Sequence, residues 1–317
     1  MQTESTRSLF GLPLTRQSLL HYQNRLPVPE LSLLLVAFFW GTSYGVTKEA
    51  LLFTSALAFI AIRFCLTSVM LLPLFLREMR QGKTGDFYRA LPTGIILLMI
   101  FLAETYGIFH TSASRAAFLI SLCVLMTPFV EALMKRQRPE PLILGCALLS
   151  LFGVFLLTQT GQTATADSGF SLNLGDQLIL LAALLRAIMV VTTERLSKNS
   201  TLSAISTTSI QSNVVAVGAL IIFACSDYPV AQLLPQSVAF WLAAFYLAFF
   251  CTLFALFAQN YGVRHTSSSR VALLTGSEPA FGALFAIVWL GESLRGIQLL
   301  GGGLILMACY LAGRRQR

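Results

Sequence analysis

The sequence predicts an all-α polytopic membrane protein with ten transmembrane helices in two inverted five-helix repeats. The first sign is composition: 56% of the 317 residues are hydrophobic and only 11% are charged. The second is that apolar residues come in blocks of roughly 17–22, the length that crosses about 30 Å of hydrocarbon at about 1.5 Å per residue. The third is a duplicated decapeptide. Tyr106-Gly107-Ile108-Phe109-His110-Thr111-Ser112-Ala113-Ser114-Arg115 returns at 261–270 as Tyr-Gly-Val-Arg-His-Thr-Ser-Ser-Ser-Arg, each copy leading into an apolar run. Such internal duplication is the mark of a bundle built from two homologous halves.

Residues 1–30 form a polar N-terminal segment, without the basic-then-apolar pattern of a cleaved leader. The first repeat, 31–159, holds predicted spans at 31–51, 56–76, 91–109, 115–134 and 142–159. A linker at 160–176, rich in Gly, Ser and Thr and free of Lys and Arg, divides the halves. The second repeat, 177–312, holds spans at 177–193, 205–224, 237–258, 269–290 and 295–312, followed by a basic tail at 313–317. Five spans per half is an odd number, so the second half starts from the opposite face. The two decapeptides then face opposite sides of the membrane.

Charge placement orients the bundle. With both termini in the cytoplasm, every Lys and Arg outside the spans falls on that side except Lys48, Arg115 and Arg295. The net charge of +8 is therefore a positive-inside signal and not a nucleic-acid footprint. Cys65, Cys123, Cys146, Cys225, Cys251 and Cys309 lie in or beside apolar blocks without a CxxC pair, so neither a disulfide framework nor a metal site is expected. Gly82-Lys83-Thr84 ends like a phosphate loop, but position 77 is Arg where that loop needs Gly. With no HExxH and no paired Cys/His set either, no enzyme activity, cofactor or direct ATP drive is expected. The expected partners are a small solute, the bilayer and a coupling proton, with the chain as monomer or homodimer.

Ionised side chains inside spans cost about 2.5–3.5 kcal/mol each near the bilayer centre and so need a reason. Arg63, Glu104, Arg186 and Glu278 are the interior four; two Arg–Glu pairs would satisfy them without a ligand. Arg186 interrupts LILLAALLRAIMVV and suits a solute carboxylate, while Glu104 suits an ammonium or a proton. Glu278 precedes Pro279, whose ring frees the carbonyl of Thr275 and makes a polar spot of Thr275, Ser277 and Glu278. Pro128 similarly frees the carbonyl of Val124. The candidate substrate residues are thus Arg186, Glu104, Glu278, Trp40 and Thr275, with Glu104 and Glu278 for proton coupling. His110 and His265 are read as turn residues, Ser114 and Ser269 as caps of the following helices. Gly145, Gly153 and Gly301-Gly302-Gly303 are read as close helix contacts.

WGTSYGVTKEAL in span one, Arg63 in span two, TSASRAAFLISLCVLMTPFVEALMKRQRP across span four, LGDQLILLAALL entering span six and YGVRHTSSSRVALLTGSEPAFGALFAIVWLGESL across span nine carry a family likeness. Over about 31–312 the chain resembles the EamA-like branch of the drug/metabolite transporter superfamily. That resemblance implies a central cavity lined by spans one, three, four, six, eight and nine, with five and ten outside. It further implies a secondary transporter of the bacterial inner membrane that exports small polar metabolites such as amino acids, often in exchange for protons. Arg186 departs from the family, in which span six frequently carries Trp. Efflux of lipophilic cations is the alternative function, and a membrane assembly factor or enzyme the alternative class.

Overall fold

In the computed structural model the described residues are 28–82, 84–111, 113–157, 173–198, 200–282 and 296–314. The tails, most of the linker and the second half of predicted span nine, with its LGE piece, lie outside them. Twelve helices run through the described residues: α1 (Val28–Ala50), α2 (Ala56–Arg80), α3 (Leu91–His110), α4 (Ala113–Ile120), α5 (Cys123–Lys135), α6 (Pro141–Leu157), α7 (Leu174–Ser197), α8 (Ala204–Ala224), α9 (Val238–Ala248), α10 (Ala255–His265), α11 (Ser268–Thr275) and α12 (Gly296–Arg314). No strand occurs among them. Five continuous helical stretches are by length and composition sufficient to cross a membrane. The 25 residues of α2 alone reach about 37 Å.

Two predicted spans are not single helices. Span four is broken at 121–122 into α4 and α5, and span nine at 276–277, after which the chain is helical again over 278–282. The breaks fall at the same distance beyond each decapeptide. Neither break coincides with a proline. Pro279 stands in the first turn of the new helix, where its missing N–H costs nothing, and Pro128 lies inside α5 beyond the break. Span eight is continuous from Val238 to His265, but α9 and α10 are joined by a π turn at Phe249–Phe254. There Thr252 Oγ1 donates to Leu247 O, five residues back, at 2.9 Å.

Packing follows the repeat. Equivalent helices of the two halves meet as α2 with α8 and α6 with α12, and the equivalent spans four and nine meet through α5 and α11; α3 lies along α7 as α10 lies along α1. The α6–α12 pair is close because Gly153 faces the Gly301 carbonyl, where a β-carbon would come within 2.6 Å. Gly145, Gly302 and Gly303 have nothing within 4 Å of a built β-carbon, so they are not close-contact residues among the described neighbours.

One helix proves the inversion. Thr111, in the first decapeptide, donates its hydroxyl to Asp176 Oδ1 at the start of α7 (2.9 Å). Ser268, in the second, donates its backbone N–H to Glu194 Oε2 at the end of α7 (3.0 Å). The two copies therefore stand at opposite ends of the bundle. The end bearing Glu194 also carries Lys135, Arg136, Arg138, Arg195, Lys198 and Arg264, and is called the basic end below.

Candidate functional site

The polar centre is built on three helices. Arg186 sits near the middle of α7, whose N-terminus is fixed by a capping box: Asn173 Oδ1 accepts Asp176 N–H (2.8 Å) and Asp176 Oδ2 accepts Asn173 N–H (3.1 Å). Its Nη1 donates to Glu278 Oε1, beside the break after α11, at 3.0 Å. Its Nη2 stands 3.1 Å from Glu104 Oε2 on α3, without the alignment of a hydrogen bond. One guanidinium thus serves two buried carboxylates, and the ionised triad carries one net negative charge.

The two carboxylates are held unequally. Tyr44 Oη donates to Glu278 Oε2 at 2.9 Å, so Glu278 is bound through both oxygens, whereas Glu104 Oε2 has only its ion pair. Trp40, one turn before Tyr44 on the same face of α1, lies under the Arg186 guanidinium at 4.5 Å from the ring centroid. Its Nε1 donates to the Cys251 carbonyl in the π turn at 2.8 Å. The buried Cys123 thiol, at the start of α5, lies in the field of all three charges. Residues of α1, α3, α5, α7, the π turn and the break after α11 therefore surround one point. These are spans one, three, four, six, eight and nine.

Arg63 is placed elsewhere. Its Nε donates to Thr252 Oγ1 (2.6 Å), its Nη2 reaches Cys251 O (3.4 Å), and the guanidinium lies 4.9 Å over Phe101. No carboxylate of the described residues pairs with it. The expectation of two Arg–Glu pairs is corrected: Arg186 takes both acids and Arg63 neither. The triad and Arg63 together are neutral, which lowers the cost of placing all four in the bundle.

Among the sequence-derived candidates, Arg186, Glu104, Glu278 and Trp40 converge. Thr275 does not offer its hydroxyl to that centre, because Oγ1 donates back to Val271 O (2.9 Å) and Ala272 O (3.3 Å). Ser269 is not the cap of α11. Ser267 caps it, accepting Arg270 N–H, while Ser269 donates to Glu131. The side chain of Ser114 lies outside the described residues. His265 is exposed and bonds its own helix through Nδ1 to Tyr261 O (2.8 Å); His110 is exposed and sits edge-on to Phe109. Tyr44 was missed, although its position four residues after Trp40 put it on the same helical face. Among the described residues no group of His, Cys, Asp and Glu is placed to hold a metal ion.

Comparison with known proteins agrees with this architecture. The model of the EamA-like transporter family matches twice, at 28–159 and 173–314, one match per half. The chain is similar to an uncharacterized transporter of Archaeoglobus fulgidus, 27% identical over 286 residues, covering 90% of this chain and 86% of that one. It is similar to the uncharacterized transporter YyaM of Bacillus subtilis (23%; 89% and 92% covered). It also resembles the chloroplastic WAT1-related protein At3g02690 of Arabidopsis thaliana (25%; 86% and 66% covered). A solved crystal structure of 16% identity shares the fold with a TM-score of 0.69, covering 91% of this chain and 98% of that one.

Proposed function

This chain belongs to the EamA-like transporter family, and from that membership we propose that it is a secondary-active carrier whose coupling site is the Glu104–Arg186–Glu278 triad. The observation that carries the reading is the sharing of one guanidinium between two buried carboxylates. Arg186 does not lose its proton at any physiological pH, so the excess negative charge rests on the carboxylates. Arg63 balances that charge across the bundle but bonds Thr252 and Cys251, so within the triad the excess charge has no direct partner. Two events remove it: a proton on one carboxylate, or the cationic group of a solute beside it. Each excludes the other, and that exclusion is the basis of exchange. Glu104 is the exchanging acid, since Glu278 is already committed to Tyr44 and Arg186.

The solute is then recognised through an ammonium or other cationic group. That differs from the sequence-based expectation that Arg186 receives a carboxylate, because both faces of its fork already meet acids. Small amines and amino acids engaged through their ammonium groups fit. A second reading, lipophilic cations, is favoured by the partly exposed rings clustered one residue from Trp40: Phe39 with Phe250 (centroids 4.7 Å), Phe254 (5.8 Å) and Tyr246 (6.4 Å). With the basic end in the cytoplasm of a bacterium and the proton gradient directed inward, exchange drives export across the inner membrane.

The test is proton release in proteoliposomes loaded with a pH indicator. Amines and amino acids that are carried should each move protons in the opposite direction, and Glu104→Gln should abolish this. Proton-coupled flux that survives Glu104→Gln refutes the assignment. Flux of carboxylates lacking an amine, lost in Arg186→Gln, would restore the anion reading.

A further inference from the structure

The basic end of the bundle carries a second polar cluster that the triad does not use. Glu194, almost fully buried, accepts at Oε2 the backbone N–H of Ser268 (3.0 Å) and its hydroxyl. Glu131 on α5 does the same for the next residue, accepting the N–H of Ser269 (2.9 Å) and its hydroxyl at Oε2. Two carboxylates from two helices thus hold the first free N–H groups of α11, where the helix dipole favours them. Lys135 Nζ lies between the two acids, 2.5 Å from Glu131 Oε1 and 2.9 Å from Glu194 Oε1. Lys198 Nζ, more than half exposed, adds a contact to Glu194 Oε1 at 2.5 Å. Two acids and two lysines balance.

Three features make this more than a helix cap. First, it joins α5, α7 and α11, the helices that carry Cys123, Arg186 and the turn before Glu278. Glu194 is two turns beyond Arg186, about 12 Å along the axis. Second, α11 is only eight residues long and is cut from the rest of its span at 276–277, so no continuous helical ladder ties it to the residues beyond the break. Third, a cavity of about 150 Å³ lies directly beside the cluster, lined by Pro128, Glu131, Lys135, Arg138, Glu140 and Ser269 among others. Glu131, Lys135 and Ser269 of the cluster face that cavity, whereas Glu194 lies behind them.

The opposite end has the same turn closed by different chemistry. Lys48 Nζ donates to the Thr111 carbonyl at the end of α3 (3.1 Å), and Thr111 donates to Asp176. Each duplicated turn offers a carbonyl end and an N–H end. One face is closed with a lysine on the carbonyl, the other with carboxylates on the N–H groups.

We propose that Glu131, Lys135 and Glu194 form the gate at the basic end, closing the route to the triad by holding the N-terminus of α11, with the 150 Å³ cavity as its outer mouth. Opening is the release of Ser268 and Ser269 from the two carboxylates, and a cationic solute entering the cavity competes for Glu131 with Lys135 and Ser269. The gate presupposes a carrier with a central site. Its test reads solvent access and not flux, so a wrong solute or coupling assignment leaves the outcome untouched.

The reporter is native Cys123, buried beside the triad, with the other five cysteines replaced by alanine. A membrane-impermeant maleimide is applied to sealed vesicles of each orientation. Glu131→Gln and Glu194→Gln should each raise the labelling rate from the basic face at least ten-fold and leave the rate from the opposite face unchanged. Lys135→Met, which leaves both caps but exposes the acids to each other, should also raise it. It keeps the test decisive if Glu194→Gln fails to insert. Unchanged labelling from the basic face overturns the proposal, as does an equal rise from both faces, which reports a loosened fold.

Discussion

Gly276 and Val124 touch where two broken helices cross: a β-carbon on Gly276 would come within 2.0 Å of Val124 Cγ2. Val124 follows the break in the first half by two residues, and Gly276 lies in the break of the second. The two interruptions are separated by the same interval as Tyr106 and Tyr261. They occupy one place in the repeat, and the repeat brings them together at the middle of the bundle, next to Glu278.

Gly276→Ala forces that crossing apart. It should lower stability by about 1–3 kcal/mol, the usual cost of overpacking. Val124→Ala in the same chain removes the Cγ2 contact and should recover part of the loss, since the Ala272 carbonyl stays 2.8 Å from the new β-carbon; alone it leaves a cavity. Thermal unfolding of both single variants and the double variant in detergent measures the coupling. Additive effects would mean that the two residues do not meet.

The two buried arginines should respond differently to removal. Arg186→Met leaves Glu104 and Glu278 side by side without a counter-ion, a change that costs about 3–5 kcal/mol for a broken buried pair. Arg63→Met removes only its bonds to Thr252 and Cys251, which keep Leu247 O and Trp40 Nε1 as partners, at a cost of about 1–3 kcal/mol. Unfolding midpoints should therefore rank wild type above Arg63→Met above Arg186→Met. The reverse order would place the missing counter-ion at Arg63.

Tyr44→Phe removes the bond that commits Glu278. The two acids then become more alike, and the pH at which exchange is half-maximal should move while the maximal rate at optimal pH changes little. A Tyr44→Phe protein with an unchanged pH profile would show that Tyr44 only packs against the triad.

At the basic end, the loops after α2 and α7 are tied through Asp86. Oδ2 accepts the Thr201 N–H (3.0 Å) and its hydroxyl (3.2 Å), and the backbone N–H foremost holds this carboxyl below its ordinary pKa. A lowered value means the tie is at full strength above the ordinary aspartate range near about 3.9. It is lost as pH falls through the lower value of the folded state. Protection of the Thr201 amide from hydrogen exchange should follow that course, and Asp86→Ala should remove it at every pH.

Helix number, order and inversion were legible because run length, loop charge and a duplicated decapeptide are one-dimensional signals. The four interior charges were legible for the same reason: each interrupts an apolar run. Their partners were not. Whether Glu104 meets Arg63 or Arg186 depends on the rotation of α3 against α2 and α7, which spacing along one chain does not encode. The breaks were not legible: the two prolines marked freed carbonyls, but Pro279 follows its break and Pro128 lies inside α5. The Glu131–Lys135 pair, four residues apart on one helix, was readable in principle. Its link to Ser269, in the other half of the chain, was not.

The stacking of Arg186 over Trp40 carries a consequence for how such a molecule can arise. Trp40 stands on the first span of the first half and Arg186 on the first span of the second, so each half supplies one partner of the contact. Two separate five-helix chains could build this bundle, one inserted each way up, but any residue on the shared axis would then appear twice: two indoles or two guanidiniums. Halves that differ in sequence, as the two halves of this chain do, can put a cation on one side of the axis and a ring on the other. Divergence of the halves is thus the condition for a polar centre with a direction.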